Sequence, residues 1–148
     1  MSDKTIEQLE YASASGDTES MRQMGVAYRD GKGVEKSLPE AASWLRKASD
    51  GGNGAASVQL MDVLMSIGDA NSLSEMLVLA HKFADKGNGD GMIRLGRAYR
   101  TGKGVEKNLE TAAKWFSCAA SSGVKWATNE LFDTLWQMDT PESDIRMV

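Results

Sequence analysis

The sequence predicts an all-α chain of stacked helix hairpins, a solenoid, on three observations. The run from Met24, MGVAYRDGKGVEKSLPEAASWL, returns from Leu95 as LGRAYRTGKGVEKNLETAAKWF, without a gap, at a separation of 71 residues. Gly16, Gly52, Gly87 and Gly123 stand 36, 35 and 36 residues apart, so 71 is two periods with a degraded copy between them. No segment has the period-two alternation of a half-buried strand. A period of this length signals supersecondary units that bury their apolar faces against one another.

The elements follow from the punctuation. A first helix, 4–15, ends at Gly16, and Asp17 caps the second, 18–30. Paired glycines, Gly31 and Gly33, tolerate positive φ and stop that helix. Ser37 caps the third, 38–50, with Pro39 in its first turn and Glu40 as a capping-box partner. Gly52 and Asn53 lead into the fourth, 54–67; Ser72 with Glu75 predicts the start of the fifth, 73–86; Gly87 and Asn88 precede the sixth, 89–100. Gly102 and Gly104 repeat the earlier turn, Asn108 caps the seventh, 109–122, and an eighth runs from 124 to 138. Short connections of this kind make successive helices antiparallel. The expected organisation is one domain over 1–140, with units of about 17–52, 53–87 and 88–123, half-unit caps at 4–15 and 124–138, and a C-terminal tail at 141–148.

In register, Met24, Leu60, Leu95 and Leu131 share one inward position of the first-type helices, those that open each unit (18–30, 54–67, 89–100) and the terminal 124–138, and Tyr28, Leu64, Tyr99 and Leu135 the one a turn later. Gly25 and Gly96 beside them allow close helix approach, with Ala41, Ala48, Ala112 and Ala119 as matching small positions and Trp44 and Trp115 expected to fill the space between units. In the middle copy small residues become large (Met61, Met76, Leu77, Phe83) while the tryptophan becomes Leu79, which redistributes volume.

This pattern resembles the Sel1-like repeat. The matching positions are Met24, Gly25, Tyr28, Gly31, Gly33, Val34, Ala41, Trp44, Lys47, Ala48, Gly52 and Ala56, and again Leu95, Gly96, Tyr99, Gly102, Gly104, Val105, Ala112, Trp115, Ala119, Ala120, Gly123 and Ala127. The family's usual acidic residue before the second helix is Ser37 or Asn108 here, which keeps the capping role. The disulfide-stapled secreted branch of the family is not matched, because the chain has one cysteine. The resemblance implies a right-handed α-α superhelix, TPR-like, whose first-type helices line a concave surface used as a scaffold or adaptor for a protein or peptide.

Composition narrows the function. Seventeen Lys+Arg against 21 Asp+Glu leave a net charge of −4, the wrong sign for a general nucleic-acid binder. One Cys and one His supply neither a disulfide nor the usual metal set. His81 aligns with Arg46 and Ser117, solvent-type positions, and no nucleophile pairs with it; Cys118 aligns with Lys47 and Lys82. The GKGVEK loops follow no strand and open no helix with Gly-Lys-Ser/Thr, so they are turns rather than phosphate loops. No apolar run reaches the roughly 18 residues of a membrane span. The expectation is a soluble, cytoplasmic, non-catalytic module with no cofactor, no metal, and no nucleic-acid or membrane partner.

The candidate partner-binding face comprises Arg22, Arg29, Asp62, Arg94, Arg97, Arg100 and Trp136 on the first-type helices. An arginine stripe on an acidic chain suits an acidic peptide. The same arginines also suit structural pairing: Arg97 between Asp62 and Asp133, Arg94 with Glu130, and Arg100 stacked on Trp136. Trp126 and Phe132 make the terminal helix unusually apolar, so it either buries Trp126 as a cap or docks against another chain, another copy or further repeats.

Overall fold

The computed structural model describes residues 4–139; the expected tail, 141–148, lies outside the described residues. Among the described residues there are eight helices and no strand: α1 (Ile6–Ala14), α2 (Thr18–Asp30), α3 (Leu38–Asp50), α4 (Gly54–Ile67), α5 (Ala70–Asp85), α6 (Gly89–Thr101), α7 (Leu109–Ser121) and α8 (Ala127–Asp139). The chain divides after Ser72 into two compact units. In the first, α2 packs on α1 and α3, and α3 on α4; in the second, α6 packs on α7, and α7 on α8.

The duplicated turn is built identically in both units. Gly31 (φ 72°) and Gly102 (φ 75°) take the left-handed conformation that closes α2 and α6, donating to the carbonyls of Ala27 and Ala98 at 2.8 Å. Farther along the loop, the N–H of Ser37 donates to Tyr28 O, and that of Asn108 to Tyr99 O, both at 2.9 Å. Ser37 Oγ accepts from Glu40 N at 3.3 Å, but the reciprocal half of the expected capping box is not made, because the Ser37 N–H is already occupied by Tyr28. A complete capping box forms instead at the start of α1, between Thr5 and Gln8. Asp17 and Asn53 cap α2 and α4 as the sequence predicts. The expected start of α5 is corrected: Gly68 ends α4 at φ 75°, Asp69 accepts from Ser72 N at 2.7 Å, and Ser72 lies inside the first turn.

Close approach between α2 and α3, and between α6 and α7, is set by glycine against one large side chain. A Cβ on Gly25 would lie 2.6 Å from Leu45 Cγ, and one on Gly96 2.6 Å from the Phe116 ring. Leu45 and Phe116, both fully buried, therefore fill the hollows over these glycines. Trp44 and Trp115 are half-buried; Lys47 stands over the Trp44 ring and His81 meets Trp115 edge-on. The inward stripe holds at Met24, Leu60, Leu64 and Leu95. It fails at Leu135, which is exposed. α8 begins at Ala127, after a tighter turn through Trp126, and its register buries Ala127 and Thr134, two turns apart, in place of Leu135.

Candidate functional site

On the first unit, Arg22 of α2 grips Glu19 one turn earlier through Nε (2.8 Å) and Nη2 (2.6 Å), while Nη1 donates to Gln59 Oε1 of α4 at 3.2 Å. Glu19 also accepts from Gln23 and from Asn53, the cap of α4. This fork-shaped pairing, with the other two bonds, outweighs desolvation and holds the Glu19 carboxyl at about 2. Arg29 is turned along its own helix onto Asp30, at 2.9 and 3.1 Å, and that contact lowers the Asp30 carboxyl. Exposed Asp62 on α4 adds a weaker attraction for Arg29.

The Glu19 cluster makes a pH prediction. The folded value lies below the ordinary 4.5, so the stabilisation is fully present above about 4.5 and lost as pH falls toward 2. Half exposure of the carboxylate leaves it worth about 1 kcal/mol after solvent screening. Urea unfolding of Glu19→Gln should show that loss at neutral pH and a shallower acid dependence than the parent; parallel acid profiles would contradict the assignment.

On the second unit, Arg94 of α6 bonds the backbone oxygen of Asp90 at 3.0 Å and lies 3.6 Å from its carboxylate. Arg97 and Arg100 converge on Glu130 of α8, at 3.5 and 2.5 Å. Arg97 lies over the Trp126 ring and Arg100 over the Phe116 ring, each 5.2 Å from the centroid. Three sequence expectations are corrected here. Glu130 takes Arg97 and Arg100 rather than Arg94; Arg97 pairs with Glu130 rather than Asp133; and Arg100 stacks on Phe116 rather than Trp136. Trp136 lies six residues, about 9 Å, farther along α8 than the carboxylate that fixes Arg100, and it is 69% exposed. Trp126, 47% exposed, is covered on one side by Arg97 and is not buried as a cap residue would be.

His81 and Cys118 are both exposed, as their register implied. Among the described residues no three His, Cys, Asp or Glu side chains gather as a metal set, and no helix is long and apolar enough to cross a membrane.

These helices match a known class. The Sel1 repeat model fits residues 18–53 and 89–124, which are α2 with α3 and α6 with α7 and their caps. The chain contains two Sel1 repeats. A Sel1 repeat protein from Oxalobacter formigenes shares the fold, with a TM-score of 0.70 at 23% identity over 86% of this chain and 53% of that one. The chain thus spans about half the length of that structure. A protective antigen of uropathogenic Escherichia coli strains displaying an SLR fold aligns at 22% identity over 87% of this chain and 36% of its own, with a TM-score of 0.37. The fold class is therefore the all-α solenoid of Sel1-like hairpins. Sel1 repeats are generally protein-interaction modules, and proteins built from them are typically non-catalytic scaffolds.

Proposed function

We propose that this chain is a non-catalytic scaffold or adaptor that takes a protein or peptide on its first-type helices, the concave side of a Sel1-like array. One observation carries the reading: guanidinium groups on α2 and α6 are held in fixed positions yet remain open to solvent. Arg29, steadied by Asp30, and Arg97, steadied by Glu130 and Trp126, keep 37% and 44% of their side-chain surface exposed. Donors fixed before binding lose less entropy when an acidic segment arrives. Arg22 and Asp62 in the first unit, and Arg94, Arg100 and Trp136 in the second, belong to the same faces. The shared register of the copies supports a single repeat domain over 1–140, and the lone cysteine a cytoplasmic setting.

The test is capture by the tagged protein compared with an Arg29→Gln, Arg97→Gln, Trp136→Ser variant. Glutamine is used because a glutamate at position 97 would face Glu130. Loss of the co-purifying protein with unchanged helicity is expected; unchanged capture removes these faces as the site.

The exposed apolar side chains of α8, Phe132 (67%), Trp136 (69%) and Met138 (43%), favour a second reading. In it, this helix docks on another copy or on further repeats. Sedimentation over a range of concentrations separates the two: a mass that rises with concentration, and stays monomeric in Phe132→Ser, is expected only of the docking helix.

A further inference from the structure

In the first unit, α1, α2 and the turn after α2 enclose a cleft of about 410 Å³, within the size range of ligand sites. Ile6, Leu9, Val26 and Ala27 form its apolar part. Lys4, Arg22 and Lys32 form its charged part, and among the described residues no carboxylate lines it, although the chain carries a net charge of −4. Arg22 is tied to Glu19 and Gln59, so the ammonium groups of Lys4 and Lys32 supply the available charge. Both lysines are exposed, and among the described residues neither is held in an ion pair.

The second copy shows that the repeat itself does not demand these residues. Seventy-one positions on, the turn residues Lys32 and Gly33 recur as Lys103 and Gly104, and Ala27 as Ala98. Lys4, Thr5 and Arg22, by contrast, correspond to Glu75, Met76 and Ile93. Met76 and Ile93 are buried to 0% and 1% exposure, and Leu77, the counterpart of Ile6, lies 3.0 Å from a Cβ placed on Gly104. Where the later copy has bulky apolar side chains, the first has a small hydroxyl and a guanidinium, and the charge at position 4 is reversed at 75.

We propose that this cleft binds an acidic peptide segment of a partner protein, with one aliphatic side chain seated between Ile6 and Val26 and flanking carboxylates meeting Lys4 and Lys32. The apolar part supplies burial and the two lysines choose the sign of the flanks. The proposal rests on the reading of the chain as an interaction module but not on Arg29, Arg97 or Trp136, none of which lines the cleft.

The experiment is a titration of the full chain, followed by backbone amide shifts, with three synthetic hexapeptides capped at both ends. They are Glu-Asp-Leu-Ile-Asp-Glu, its serine counterpart Glu-Asp-Ser-Ser-Asp-Glu, and the neutral Gln-Asn-Leu-Ile-Gln-Asn. Shifts confined to 4–9 and 22–33, at least about tenfold weaker for the second and third peptides and for the Lys4→Glu, Lys32→Glu variant, are expected. Both substitutions are at exposed positions, and an unchanged thermal melt establishes that the variant is folded. Absence of shifts in the cleft, an equal response to the serine peptide, or undiminished binding by the lysine variant overturns the proposal. Capture lost on altering Arg29, Arg97 and Trp136 while the cleft stays silent would sink the cleft and leave the module reading intact.

Discussion

Replacing Phe116 with Ala is expected to cost about 3–5 kcal/mol of folding free energy. The ring is fully buried in a cluster with Ile93, Ala112, Ala119 and Ala127, and it fills the hollow over Gly96. Four of the residues around it, the three alanines and the glycine, are too short to lean into the space the ring would leave, so little of the cavity can close. The same ring supports the Arg100 guanidinium, so the loss should also loosen the pairing of α6 with Glu130. Urea unfolding followed by circular dichroism measures the cost; a loss below about 1 kcal/mol would contradict a core organised around this residue.

Gly91→Ala is the second large effect, and here two opposing terms must be compared. Alanine in place of glycine inside a helix normally gains up to about 1 kcal/mol. At Gly91, however, the new Cβ would stand 2.5 Å from Ala80 O, 2.8 Å from Ala84 N and 2.9 Å from Phe83 Cβ. Two of those three atoms belong to the backbone of α5, which cannot rotate away as a side chain can, so α6 must move off α5. Overpacking of this kind costs about 1–3 kcal/mol or more, and at 2.5 Å from a carbonyl oxygen the upper end applies, leaving a net loss of about 2 kcal/mol. Gly54→Ala is the internal control: nothing lies within 4 Å of its Cβ position, so that variant should be neutral or slightly stabilised. Equal stability of the two variants would mean that α5 and α6 do not approach as described.

The parts of the fold legible in the sequence are those fixed by local chemistry. Glycine pairs, Asx caps and the 71-residue register placed most helices to within a residue or two, because positive φ and an N-cap oxygen are demands that few residue types meet. Side-chain identity one step deeper was less legible. The sequence reading matched Gly25 and Gly96 to alanines of the facing helix and named neither Leu45 nor Phe116, which lie about 100° around the helix from the conspicuous tryptophans. The start of α5 was misplaced because Ser72 with Glu75 imitates a capping box while Asp69 does the capping. Leu135 followed the register of Tyr99, yet the tight turn through Trp126 resets the phase of α8.

For the candidate faces, the sequence supplied the arginines and Glu130 but not the geometry that joins Arg97 and Arg100 to that one carboxylate. The cleft was missed altogether. Its signal, the exchange of Thr5 and Arg22 for Met76 and Ile93, is visible only when the two similar copies are compared for where they differ.

The hairpins α2–α3 and α6–α7 each close by seating one large side chain on a glycine of the facing helix. The most direct measurement is the unfolding free energy of Gly96→Ala in the parent and in the Phe116→Ala background. With the ring present, the new Cβ meets it at 2.6 Å and the substitution should cost about 1–3 kcal/mol. With the ring removed, the same substitution should become stabilising by up to about 1 kcal/mol, the ordinary helix preference for alanine. An equal cost in both backgrounds would show that Gly96 and Phe116 do not face each other and that the hairpin closes in another way.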